Sequence, residues 1–270
     1  MIYKIYKPAA PLSDYIDFLF YYEGYHAAHR MEKLLPDGSI DLLIDMTGLP
    51  KKLFHDEVGR SYDTLKKFWI SGMKTDFILI DASVSCMIGV HFKPGGLYPF
   101  VDFPVAELNN RTLELDNVFG NEVFSLRESI LDDGSPDKKF EQLEKFLVRQ
   151  YKRHQEMNPL VHFSVSQLLQ KPDVWTIKQL TGKTGISQKH LINLFKKYVG
   201  LSPKLFARIS KFQKVIQLVD RQQKIDWTSL AYECGYYDQA HFIKEFRSFS
   251  GINPSSYLLQ RGEHLNYLPI

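Results

Sequence analysis

Apolar residues follow two different rhythms along this chain. In the first 110 residues helical stripes are few, and short β-like runs recur at 2–6 (IYKIY), 18–23 (FLFYYE), 39–46 (SIDLLIDM), 68–73 (FWISGM) and 83–92 (SVSCMIGVHF). In the last run Val84, Cys86, Ile88, Val90 and Phe92 alternate with residues of the opposite face, as a half-buried strand requires. PDGS at 36–39 and PGG at 94–96 supply turns between runs. The pattern predicts an antiparallel sheet or small barrel. Two helical stretches follow, 119–132 and 137–153. In the second, Phe140, Leu143, Phe146, Leu147 and Tyr151 form one apolar stripe. That helix suits packing on its own sheet, and equally bridging domains or pairing two chains as a homodimer.

Beyond residue 160 the period becomes helical, and a unit is repeated. Leu180, Gly185, Gln188, His190, Ile192, Phe195, Gly200 and Pro203 recur as Leu230, Gly235, Gln239, His241, Ile243, Phe246, Gly251 and Pro254. The offset grows by one at the turn, so the second copy has one extra residue there, Tyr236 or Tyr237. Each copy reads as a short helix, a glycine turn, a capped second helix, then Gly and Pro, which is helix-turn-helix punctuation. In the first copy Ile177, Leu180 and Thr184 share a face, Ser187 caps the second helix, and Leu191, Leu194, Phe195 and Tyr198 point inward. Gln188, Lys189, Ile192, Asn193 and Lys196 lie opposite. In the second copy Trp227, Leu230, Ala231 and Cys234 support, Asp238 caps, and Phe242, Phe246 and Phe249 point inward. Gln239, Ala240, Ile243, Lys244 and Arg247 face outward. Asn and Gln can pair with adenine, Lys with guanine, and an Ile methyl can sit against thymine, so these faces carry the chemistry of a major-groove reader. An ordinary solvated face is the alternative for either copy alone; recurrence in register favours the reader. His190 and His241 recur at the third position after each cap without a ligand-spaced partner, which fits phosphate contact or packing better than metal.

Between the units, 204–222 carries an apolar stripe of Phe206, Ile209, Phe212, Ile216 and Val219, with a basic edge of Lys204, Arg208 and Lys211. About 16 helical residues span about 24 Å, whereas successive major-groove segments lie about 34 Å apart, less if the DNA bends.

Charge sharpens this division. The chain of 270 residues has a net charge of +3, but residues 1–159 hold 19 Lys and Arg against 24 Asp and Glu, while residues 160–270 hold 15 against 7. The basic half is the repeated half, which suits a polyanion bound by counterion release. Only Cys86 and Cys234 are present, far apart, so neither a disulfide framework nor a zinc site is expected. No signal-peptide pattern opens the chain and no run approaches a membrane span. These features predict a soluble, cytoplasmic protein of two domains, with no cofactor and no membrane partner.

The stretch 160–260 resembles the DNA-binding domain of the AraC/XylS family of bacterial transcription regulators. The resemblance rests on LAYECGYYDQAHFIKEFRSFSGINPSSY at 230–257 and, more weakly, on LTGKTGISQKHLINLFKKYVGLSPKLF at 180–206. It implies an all-α domain with two helix-turn-helix units joined by a long central helix. Matching positions imply base contacts from Lys189, Ile192, Asn193, Gln239, Ala240 and Lys244. Backbone contacts are expected from Ser187, Gln188, His190, Lys196, Arg208, Lys211, Asp238, His241 and Arg247. Thr181 stands where the family has a small Ala, as Ala231 is in the second copy, so the two units are expected to read unequally and the site to be non-palindromic. The expected partners are double-stranded DNA, a small-molecule effector and, by family resemblance, RNA polymerase.

The β-rich portion resembles the sensor domains that precede such readers, many of them cupin-like barrels, and GVHFKPGGLYPFVDFPVAELNN at 89–110 is similar to uncharacterised regulators of this type. The expected organisation is an α+β domain at 1–155, the reader at 160–260 and a tail at 261–270. No effector site is assigned. His26 and His29, with Glu23 and Glu32, could make a site but read better as a polar loop, and His91 reads as structural or as lining a barrel. An N-terminal enzyme and a ligand-independent architectural binder are the competing readings. The sequence lacks G-x-S-x-G, H-E-x-x-H, P-loop and Rossmann patterns, so it is read as a non-enzyme.

Overall fold

The computed structural model describes residues 1–152, 155–221, 225–262 and 264–270. Its β-rich part contains two antiparallel sheets. The first comprises β1 (Ile2–Tyr6), β2 (Ile16–Tyr25), β4 (Ile40–Asp45), β7 (Phe68–Ser71), β9 (Ser85–Phe92) and β10 (Thr112–Glu114), in the order β1-β2-β9-β4-β7-β10. The second comprises β3 (Met31–Leu34), β5 (Lys51–Phe54), β6 (Tyr62–Leu65), β8 (Ile78–Asp81) and β11 (Tyr267–Pro269), in the order β11-β3-β8-β5-β6. Each apolar run expected to be a strand is one, all in the first sheet. Val84 falls just before β9 and is 45% exposed.

Alternation explains how the first sheet is covered. Leu19, Leu42 and Ile70 align with Val90 and its neighbours across four strands, and all four side chains are fully buried. Helices α2 (Glu122–Asp132) and α3 (Pro136–Gln150), which follow the single turn α1 (Asp116–Phe119), join the same core through Leu126, Ile130, Phe140, Leu143, Phe146 and Leu147. The α3 stripe is therefore used within the chain. The expected ends at 153 and 222 lie outside the described residues. On the other face of this sheet Phe18, Phe20, Tyr22, Asp41, Leu43 and His91 are half-buried, while Asp45, Trp69 and Met87 are buried.

Seven helices follow among the described residues: α4 (Pro159–Gln170), α5 (Ile177–Thr184), α6 (Gln188–Tyr198), α7 (Pro203–Arg221), α8 (Trp227–Glu233), α9 (Gln239–Ser250) and α10 (Pro254–Gln260). Their core is continuous with that of the sheets. Gly38 takes the turn at φ +81°, which favours glycine, and packs it on α7, where a Cβ would lie in ordinary contact 3.5 Å from Phe206 and 3.6 Å from Ile209. Tyr98 packs on Tyr198 with ring centroids 4.4 Å apart, and the Asn109 amide donates to the Gly200 carbonyl.

The end of the chain, expected to be a tail, crosses back as β11. Tyr267, Leu268 and Pro269 pair with Leu34, Lys33 and Glu32, and Leu268 is 1% exposed. The Gln213 amide of α7 donates both to the Pro36 carbonyl at 2.8 Å and to Asn266 Oδ1 at 3.0 Å. No helix among the described residues is long and apolar enough to cross a membrane.

Within the first sheet, His91 Nδ1 lies 2.7 Å from Asp41 Oδ1, and its ring stacks on Phe18 at 4.7 Å. Burial opposes the imidazolium, but Asp41, with Asp37 and Asp17 behind it, outweighs burial and raises His91 from 6.5 to about 9. A folded-state value above the unfolded one stabilises the fold fully at low pH, and that contribution is lost as pH rises through about 9. The thermal midpoint is expected to fall between pH 6.5 and 9, and the fall should flatten in His91→Gln. Differential scanning calorimetry across that range checks both.

Candidate nucleic-acid interface

Both helix pairs are built by local rules that the sequence already contains. Thr176 opens α5 with a reciprocal cap, its hydroxyl accepting from the Gln179 N–H while Gln179 Oε1 accepts from the Thr176 N–H at 2.8 Å. Gly185 ends α5 in the left-handed region at φ 71°. Ser187 then caps α6, accepting from the His190 N–H at 3.2 Å. In the second unit Asp226 caps α8 by accepting from the Thr228 N–H at 3.0 Å, and Asp238 caps α9 by accepting from the His241 N–H at 2.7 Å. Ser187 and Asp238 thus have their side-chain oxygens engaged at the helix starts.

The two turns differ by one residue. Ile186 in the first and Tyr236 in the second both pack against the core, and Tyr236 is 5% exposed. Tyr237 is therefore the insertion. It stands 84% exposed immediately before the α9 cap. Sequence reasoning counted the extra residue but named no role for it; a bulky aromatic beside the start of an outward-facing helix was the available signal.

The expected reading faces are on the surface. Gln188, Lys189, His190, Asn193 and Lys196 are exposed on α6, with Ile192 half-buried among them, and Gln239, Ala240, His241, Lys244 and Arg247 are exposed on α9. Opposite them Leu191, Phe195, Phe242 and Phe246 are buried. Gln239 is steadied by the Thr228 hydroxyl, which donates to its Oε1 at 3.3 Å. Thr181, on the inner helix of the first unit, is half-buried and turns its hydroxyl back to the Lys178 carbonyl at 3.0 Å, whereas Ala231 is fully buried.

The central helix α7 has 19 residues, a length of about 28 Å at 1.5 Å per residue. Its basic edge borders a cleft of about 600 Å³ between the units, where Trp175, Tyr236 and His241 also contribute. The cations there are not equivalent. Lys204 is exposed. Arg208 makes two bonds to the Glu245 carboxylate, at 2.9 and 2.7 Å, and ties α7 to α9. The Lys211 ammonium donates to the Gly235 carbonyl at 3.1 Å. Lys214 pairs with Asp173 at 3.0 Å, which with Lys211 holds that carboxyl below the usual range despite the opposing effect of burial.

In the N-terminal unit, His29 Nε2 sits 2.9 Å from Glu32 Oε1, and the Tyr25 hydroxyl donates to the same carboxylate. Cys86 and Cys234 are both free. No group of three or more His, Cys, Asp or Glu among the described residues could hold a metal ion.

Residues 180–260 match the family described as a helix-turn-helix domain, and residues 4–114 match a domain of unknown function, DUF6597. Over 91 residues the chain is 32% identical to an uncharacterized HTH-type transcriptional regulator of Haemophilus influenzae. Over 100 residues it is 27% identical to the HTH-type transcriptional regulator MtrA of Neisseria gonorrhoeae. These matches cover 33% and 37% of this chain, and 30% and 33% of the two relatives, so it spans about a third of their lengths. Among solved structures, ToxT from Vibrio cholerae aligns over 96% of this chain and 98% of its own, with a TM-score of 0.48 at 9% identity. The C-terminal domain of AraT, a response regulator from Geobacillus stearothermophilus, aligns over 40% of this chain and 93% of its own, with a TM-score of 0.37 at 18% identity.

Loss of a helix cap has a separable energetic consequence. Asp238→Ala should destabilise the chain by about 0.5–2 kcal/mol because it leaves an N–H of the first α9 turn unpaired. Tyr237→Ala, at an exposed site, should stay within about 0.5 kcal/mol of the parent. Urea unfolding of the two variants tests the contrast.

Proposed function

We propose, from the match of residues 180–260 to the family described as a helix-turn-helix domain, that this chain is a sequence-specific DNA-binding transcription regulator of the AraC type whose N-terminal unit senses a small molecule. The observation that carries the reading is the pair of capped, outward-facing helices α6 and α9, mounted on one buried helix in the basic half of the chain. Lysine side chains, amides and small apolar groups occur together on both faces, and that mixture can distinguish base edges.

In this reading Lys189, Ile192 and Asn193 of α6 and Gln239, Ala240 and Lys244 of α9 contact bases. Gln188, His190, Lys196, His241 and Arg247 contact the sugar-phosphate backbone, and the caps Ser187 and Asp238 set the helix starts beside it. Arg208 and Lys211 contribute positive potential to the cleft while bracing α7 against α9 and the second turn. Tyr237 joins the interface as an aromatic able to donate a hydrogen bond to a phosphate. The units carry different residues at matched positions, Asn193 against Lys244, so each chain reads an asymmetric site. RNA polymerase is the expected partner at the promoter.

Selection from a random duplex library should return a non-palindromic sequence. Lys189→Ala or Gln239→Ala should then lower preference for that sequence over a scrambled duplex by about 1–3 kcal/mol. Lys196→Ala and Arg247→Ala should weaken both duplexes alike and reduce the salt dependence of binding. Equal binding of selected and scrambled duplexes by the intact chain would overturn the proposal.

A further inference from the structure

The outward positions of α6 and α9 fall into two sets when matched by the repeat. Lys189, Asn193 and Lys196 are met by Ala240, Lys244 and Arg247, whereas Gln188, His190 and Ile192 recur unchanged as Gln239, His241 and Ile243. Glutamine and histidine can bond to phosphate, sugar or base alike. An isoleucine has no polar atom, and its apolar target in the major groove is the methyl group of thymine. Within the recurring set, the isoleucines therefore say most about what lies opposite.

Ile243 is the one large apolar side chain of α9 left at the surface, 37% exposed, while Phe242, Phe246 and Phe249 are buried. At 100° per residue, Ala240, Ile243, Lys244 and Arg247 fall within about 100° of one another around the helix, and with Ser248 they line one hollow. On α6, Lys189, Ile192, Asn193 and Lys196 have the same spacing. Leu194 and Tyr198 of that helix pack on the core, and Ile192 stands half-buried among exposed polar neighbours. A β-branched side chain supports a helix less well than Ala, Lys or Arg. Neither isoleucine strengthens its own helix.

The surroundings select the occupant of the α9 hollow. Lys244 and Arg247 are exposed at its rim, and the adjacent acid, Glu245, is engaged by Arg208 through two bonds. The rim is positive and the floor, made by Ala240 and Ile243, is apolar. A polyanion with a methyl group on its groove edge fits both features. The N-terminal unit approaches this helix just past its last residue, where Phe77 lies beside Gly251, and the hollow stays on the surface.

We propose that Ile243 is a specificity residue of α9 that seats the C5-methyl group of a thymine, that Ile192 does the same on α6, and that the bound site carries one thymine at the matched place in each of its two segments. This rests on the reading of α6 and α9 as base-contacting helices. The α9 floor is the more apolar of the two, because Ala240 adds a methyl where α6 has the Lys189 side chain. The thymine under α9 contributes more. Asn193 and Lys244 read the bases beside each thymine, so the two segments share one base and differ around it.

The full chain is titrated, by fluorescence anisotropy, with the selected duplex and with copies in which each thymine in turn is replaced by deoxyuridine. That replacement removes the methyl and leaves every hydrogen-bonding group in place. One replacement in each segment should weaken binding, by about fourfold under α9, as expected for one buried methyl, and by less under α6. Ile243→Ala should abolish the preference for thymine over uracil at the α9 position alone, and Ile192→Ala at the α6 position alone. Ile243→Val, which keeps a branched apolar side chain, should retain most of the preference. Thermal unfolding checks that each variant folds, and Ile243→Ala, at an exposed site, is decisive even where Ile192→Ala lowers stability. A duplex in which no thymine methyl matters, or a methyl effect undiminished in both alanine variants, would overturn the proposal while discrimination of selected from scrambled duplexes survives. Loss of that discrimination in the unsubstituted chain would strike the regulator reading itself, and this inference with it.

Discussion

Helix α7 carries too much apolar surface for any single neighbour to cover. Phe206, Ile209, Phe212, Val215, Ile216 and Val219 are all fully buried, and at 100° per residue they occupy well over one face of the helix. Phe195 of α6 lies against Phe206, while Phe246 and Phe249 of α9 lie against Phe212. The turn at Gly38 closes over Phe206 and Ile209 from the sheet side. Each fully buried side chain of this kind contributes about 1.5–3 kcal/mol relative to exposure, so three separate parts of the chain are held on one helix. The orientation of the two reading helices follows from covering α7.

Charge is arranged around that scaffold in two ways. On its inward side, cations are matched: Arg208 with Glu245, Lys214 with Asp173, and Lys211 with a turn carbonyl. These contacts position α7 against α9 and the second turn. On the outward side, Lys189, Lys196, Lys244 and Arg247 are exposed, and they form the positive face that the proposed reading presents to a duplex. The basic composition of this half therefore overstates the charge available to DNA, since part of it is spent within the fold.

The N-terminal unit is joined to this arrangement at its middle and beyond its last helix. Gly38 and the Tyr98–Tyr198 contact join it to α7 and α6, while β11 returns beyond α10 to complete the second sheet. Helices tied to the sheets at α6, at α7 and beyond α10 cannot reorient without disturbing the sheets. The His91–Asp41 pair keeps a charged contact within the first sheet.

Much of this was legible in the residues themselves wherever the governing interactions are short in sequence. Alternation located β1, β2, β4, β7 and β9, and the three-to-four spacing located the helices of both units, because burial on one face imposes a fixed period. The caps at Ser187 and Asp238 and the turn at Gly185 were readable for the same reason, since each acts within three or four residues. What escaped was the second sheet. Strands such as MEKL at 31–34 and KKLF at 51–54 mix charge with apolar side chains and acquire strand geometry only from their partners. The identity of Tyr237 as the inserted residue, the pairing of Arg208 with Glu245 and the return of residues 267–269 to β3 were likewise settled by tertiary structure. Local period and capping chemistry belong to the sequence; which strand covers which edge, and which cation stays free, depends on residues that meet only after the chain has folded.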